Sequence, residues 1–290
     1  MPHTQIKAGD LTAVIGDNGA QGEHRAGYNG VWSLKHRACT RSPFVPSYAG
    51  LNLEHIFDGA TELKPGNFFE PRTAPMTLRR ISASAAELHQ PPTPATSLES
   101  WTRFTLTAPH YVDMQFRCRP HLAAFRHGYI GLFWASYIHG PEDKSMYFLG
   151  GTRSGEAQWA QLCTQEHNDE STVRSMTDDF VARMEPYDRG TLYASMSRLR
   201  YAEPFYYGLF ENMTLIYMFD GPGLIRFAHS PSGGGNDPAR RTTCPAWDFQ
   251  WILPQYEVGQ EYALRMRLCF RPRCARERVI EEYHGWKRGD

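Results

Sequence analysis

The residues from Tyr111 to Cys118 alternate with period two: Val112, Met114, Phe116 and Cys118 fall on one side, and Asp113, Gln115 and Arg117 on the other. Successive side chains of a β-strand point to opposite faces, so this stretch reads as a strand with one face on a core and one in water. Tyr262 to Phe270 repeats the pattern, setting Tyr262, Leu264, Met266, Leu268 and Phe270 against Arg265 and Arg267. Antiparallel sheets with one solvated face produce this alternation.

Further strands are expected at Leu11–Ile15, Gly30–Leu34, Leu51–Phe57, Thr102–Thr107, Met146–Leu149, Gln158–Cys163, Thr191–Ser195, Leu224–His229 and Trp247–Leu253. Tyr129–Ile138 and Phe205–Phe219 are apolar on both faces and belong in the middle of packed sheets. Only Val173–Met184 and Ala275–Trp286 carry helical spacing. A dozen strands without regular strand–helix alternation predict an all-β fold, a large antiparallel β-sandwich with one or two short helices. The Pro- and Gly-rich stretches Gln90–Pro94 and Ser230–Pro238 are short and flanked by strand patterns. They read as loops inside one domain spanning residues 1–290.

Thirty-one basic and thirty-one acidic residues cancel, whereas nucleic-acid binding calls for a basic excess to neutralise phosphates. No run of 18 apolar residues offers a membrane span, and the N-terminus has no signal-peptide pattern. The expectation is a cytoplasmic protein with neither nucleic-acid nor membrane partners. Six cysteines without CxxC spacing fit reduced thiols there. The aromatic share of 13% makes a homodimer through a ring-rich surface a possible arrangement.

Four segments concentrate acid, base and ring groups: Gly22–Gly30, Gly50–Gly59, Phe125–Trp134 and Pro245–Trp251. A carboxylate beside an imidazole can move protons near neutral pH, the chemistry needed to open a sugar ring or remove a proton next to a carbonyl. Glu54, His127 and Tyr129 are the catalytic candidates. Arg25, Asn52 and Asp248 are candidates to bind sugar hydroxyls or a carboxylate, and Trp134 and Trp251 to stack on sugar C–H faces. Because strand neighbours diverge, Glu54 and His55 share a pocket only if the strand bulges. Glu23, His24, His55, His127 and His229 have no HxH or HExxH spacing, so neither metal nor other cofactor is expected.

The segments AGYNGVWSL and SYAGLNLEHIFDG early on, and YEVGQEYALRMRL near the end, resemble the galactose-mutarotase-like superfamily of β-sandwich sugar-active proteins. The family's catalytic histidine pair and C-terminal glutamate motif have no counterpart here, so no site residue is carried over. The resemblance implies a supersandwich fold and a small sugar or oligosaccharide as ligand. With the residues above it points to a sugar isomerase, epimerase or lyase using a Glu/His pair. A non-catalytic carbohydrate-binding protein and a metal-dependent sugar enzyme are the alternatives.

Overall fold

The computed structural model describes residues 2–59, 68–152, 156–185 and 193–289. Strands β1 (His3–Ala8), β2 (Leu11–Gly16) and β3 (Gly30–His36) form a three-stranded antiparallel sheet. The second sheet begins with β4 (Asn52–Phe57); a four-residue helix α1 (Glu70–Thr73) leads into β5 (Thr77–Arg80), β6 (Ala85–Gln90), β7 (Leu98–Thr107) and β8 (Tyr111–Pro120). It continues through β9 (Ile130–Ala135), β10 (Met146–Gly151), β11 (Gln158–Leu162), β12 (Thr172–Ser175) and β13 (Met196–Tyr201). After β14 (Phe205–Phe210), β15 (Met213–Asp220) and β16 (Leu224–Ser230) comes a small ribbon, β17 (Asn236–Asp237) with β18 (Thr242–Thr243). The chain ends with β19 (Ala246–Leu253), β20 (Tyr262–Pro272) and helix α2 (Arg276–Arg288).

Hydrogen bonding orders the large sheet β4-β9-β19-β16-β12-β13-β10-β14-β15-β20-β8-β7-β6-β5, with β11 on β10. Every pairing is antiparallel except β12 with β13. Its two ends face each other across the core. Phe116 of β8 lies 4.9 Å from Trp134 of β9 and 6.0 Å from Trp251 of β19, while Phe219 of β15 lies 4.7 Å from Phe249. Fully burying each such ring stabilises the fold by about 1.5–3 kcal/mol, which is how two sheet faces hold together. Ile6, Leu11, Ala13 and Ile15 bring the small sheet into the same core. The fold is therefore the expected all-β sandwich with few helices.

Alternation at Tyr111–Cys118 and Tyr262–Phe270 is observed as read, in β8 and β20. Phe205–Phe219 is a hairpin, with Glu211 at the turn in a left-handed conformation (φ 51°). The helix expected over Val173–Met184 is absent. Thr172–Ser175 is strand β12, and residues 176–185 form an irregular strap across the sheet face turned away from the core. A buried ion pair overrides the helical spacing: Arg226 Nε and Nη2 donate to Asp178 at 2.7 and 3.1 Å, and Arg226 Nη2 also donates to Phe180 O at 2.7 Å. The strand expected at Thr191–Ser195 lies partly outside the described residues, and Tyr193–Ser195 is not strand. Helix α2 covers the outer face of β14, β15 and β20 through Val279 and Tyr283. No described helix is long and apolar enough to cross a membrane.

Candidate active site

The strands β4, β9, β19 and β16 carry the polar side chains on the face turned away from the core. Chain entry into β4 is fixed by Leu51, left-handed at φ 50°, whose N–H donates to Ser136 Oγ at 3.0 Å. Non-glycine residues in that region cost of order 1–3 kcal/mol and persist where surrounding structure over-determines them. The register then slips: Leu53 pairs with Trp134, but His55 pairs with Phe133. This β-bulge turns Glu54 and His55 to the same side, against the strict alternation the sequence implies.

Glu54 accepts the Tyr137 hydroxyl at 2.7 Å on one oxygen and the Arg72 guanidinium at 2.5 Å on the other, where His55 Nε2 also lies 3.4 Å away. Arg72 projects from α1, whose position is set by side chains around it. Asn18 Nδ2 donates to Pro71 O and Ala74 O, and Glu70 accepts the Thr96 N–H and hydroxyl. The guanidinium covers the Tyr28 and Phe69 rings, 4.5 and 4.8 Å from their centroids. Tyr28 stacks on Tyr48 at 4.5 Å, Tyr48 meets Tyr137 at 5.0 Å, and exposed Arg25 donates to the Tyr48 hydroxyl at 3.0 Å. His55 lies against Phe133 and Phe69, and its Nδ1 is bonded to the Tyr193 hydroxyl.

Burial pushes the Glu54 carboxyl up, but His55, Arg72 and Tyr137 outweigh it and hold the carboxyl at about 2. Asp248 takes the opposite course. Burial pushes its carboxyl well above the usual range, the Glu54 charge adds to this, and only the Ser136 N–H, at 2.9 Å, opposes it. One face thus holds two carboxyls pushed in opposite directions, a division typical of acid–base sites. Two buried polar atoms here, Asn52 Nδ2 and Arg72 Nε, have no hydrogen-bond partner, and His55 Nε2 has only the Glu54 carboxylate 3.4 Å away. Buried polar atoms are ordinarily paired, so these open positions beside one carboxylate make it the candidate site.

The depressed Glu54 carboxyl gives a pH prediction. Stability from its contacts is fully present above its ordinary 4.5 and is lost as pH falls through about 2. Thermal unfolding curves of Glu54→Gln and wild type should therefore converge over that acid window; curves that stay parallel would refute the assignment.

The other sequence candidates divide. Arg25 sits on the rim, and Asn52 and Asp248 lie on the site face. Asn52 Oδ1 accepts the Asn29 N–H at 3.1 Å, so its amide nitrogen alone is free. Tyr129 donates to Arg183 O at 3.0 Å, and His127 Nδ1 is bonded to Asp58 O at 2.8 Å and Arg183 O at 3.2 Å. Both hold the strap and do not contact Glu54. Trp134 and Trp251 are fully buried in the core, with no free ring face for a sugar. Strand periodicity places them there. Arg72, Tyr137, Tyr193 and the participation of His55 were not legible; only the possibility of a bulge hinted at the last.

The histidines weighed as metal ligands do not assemble. Asp10, His36 and His110 do bring ligand atoms within 4.8 Å of one another. However, His36 Nδ1 accepts the Ala38 N–H at 2.9 Å, which puts its proton on Nε2, the atom facing Asp10 at 3.5 Å. A protonated nitrogen cannot ligate.

No protein-family model matches the chain, and no curated protein matches its sequence. Solved structures do match. One is a candidate aldose 1-epimerase from Escherichia coli K12, with a TM-score of 0.52 at 9% identity over 93% of this chain and 99% of the other. Another is the GalM/aldose epimerase homologue from C. elegans, with the same score, identity and coverage. At such identity the likeness concerns the fold.

Proposed function

We propose that this chain, which has a galactose-mutarotase-like fold, is a carbohydrate-active enzyme that exchanges protons on a sugar, as an isomerase, epimerase or lyase. The observation that carries this reading is the β4 bulge, which sets His55 Nε2 3.4 Å from the ionised Glu54 carboxylate. With its carboxyl at about 2, Glu54 stays an anion at neutral pH. It orients His55 and stabilises the imidazolium, while His55 takes and returns the proton. The Asp248 carboxyl, which burial pushes toward its protonated form, hydrogen-bonds a sugar oxygen, and Asn52 Nδ2 and Arg72 Nε serve the hydroxyls. Tyr28 and Tyr48 wall the apolar C–H face, with Arg25 at the rim.

The test is NMR exchange spectroscopy on aldoses, ketoses and uronic acids, with ultraviolet detection of unsaturated products for elimination. Accelerated anomer exchange, epimerisation or elimination supports the reading. Binding of a sugar without turnover of any would instead make the chain a non-catalytic carbohydrate-binding protein, and neither binding nor turnover would overturn both.

A further inference from the structure

Away from Glu54, the same sheet face carries more positive than negative charge. In β12, Thr172 pairs with Ala228 and Val173 with Phe227, so the next residue, Arg174, falls opposite Arg226. On its other side Arg174 pairs with Arg200 of β13. Three guanidinium groups therefore meet at one corner. Both oxygens of Asp178 are taken by Arg226, and Asp179 lies 3.6 Å from Arg200, whose Nη1 also donates to Ser175 O and Asp178 O. Arg174 is half-buried, and among the described residues no side-chain hydrogen bond or ion pair reaches its guanidinium, although the Asp178 and Asp179 charges act on it from farther off. One positive charge is left over.

A half-buried guanidinium without an acceptor, flanked by two like charges, is costly to keep. Burial and repulsion from Arg200 and Arg226 weaken its hold on the proton, and Asp178 and Asp179 offset this only in part. A planar fork of N–H donors matches the oxygens of phosphate, sulfate or carboxylate, and an anion there would cancel the excess. We infer that Arg174 anchors a binding site for an oxyanion, with Arg200 and Arg226 supplying the surrounding positive field. Four strand spacings, about 19 Å, separate it from His55. Gln250 and Arg226, which lie between, are 0% and 1% exposed, so the two places are not one open groove. The inference stands independently of the acid–base reading.

Calorimetric titration with inorganic phosphate, sulfate, acetate and glucuronate at fixed ionic strength tests it on the full chain. Wild type should bind at least one of them, and Arg174→Gln should weaken that binding about tenfold or more. Without ligand, Arg174→Gln should melt no lower than wild type, because the substitution removes repulsion. Arg174→Lys, which keeps charge and loses the fork, should bind with intermediate strength, and it replaces the first variant if that fails to fold. Preference for glucuronate over acetate would identify an acidic sugar, and preference for phosphate or sulfate a free inorganic anion or ester. No binding by wild type, or equal binding by wild type and Arg174→Gln, overturns the inference.

Discussion

Asp178→Ala is expected to cost about 3–5 kcal/mol of folding stability, read as a lowered urea midpoint. The Asp178–Arg226 pair is among the most enclosed in the molecule, with 0% and 1% of the two side chains exposed. Removing the carboxylate strands a guanidinium in the protein interior, where water cannot replace its partner. The double substitution Asp178→Leu with Arg226→Met should recover much of the loss, since no buried charge then remains. The single substitution should also expose residues 176–185 to proteolysis, because the ion pair and the Phe180 carbonyl bond fasten that strap. A cost under about 1 kcal/mol would mean that the pair is solvated and the strap is held elsewhere.

The second large effect concerns turnover. On whichever sugar the NMR screen identifies, His55→Gln should reduce kcat by about 10²–10⁴-fold with a small change in binding, as expected when a proton shuttle is removed. Glu54→Gln should also lower kcat, since the amide removes the negative charge beside His55 and one of its orienting contacts. His127→Asn should leave kcat near wild type and loosen the strap, because its ring meets Asp58 O and Arg183 O rather than Glu54. A large kcat loss in His127→Asn together with an active His55→Gln would return the catalytic role to His127.

The sandwich was legible because its strands bury one face and alternate, as in β8 and β20, or bury both and read as apolar runs, as in β9 and β15. Strands whose pattern is weaker escaped. β1 buries only Ile6, and β6 mixes Glu87, His89 and Gln90 with its apolar residues. The strap was misread because Val173, Met176, Phe180 and Met184 have helical spacing, while the force that sets its path is a long-range ion pair with a residue 48 positions away. The candidate site was half legible for a related reason. Local composition pointed to Glu54, Asn52, Arg25 and Asp248, but Arg72 and Tyr137 reach Glu54 from 18 and 83 residues away. His127 and Trp134 lie away from Glu54, the first on the strap and the second in the core.

The bulge in β4 also bears on how such a site could arise or disappear. It amounts to one extra residue in one strand, opposite a partner strand that continues undisturbed. Deleting a single codon there would restore regular pleating and turn either the carboxylate or the imidazole to the opposite side, with the neighbouring ladders unchanged. Gain or loss of the pair is then a matter of chain length at one position, and descendants of one ancestral sheet could differ in activity while remaining superimposable in architecture.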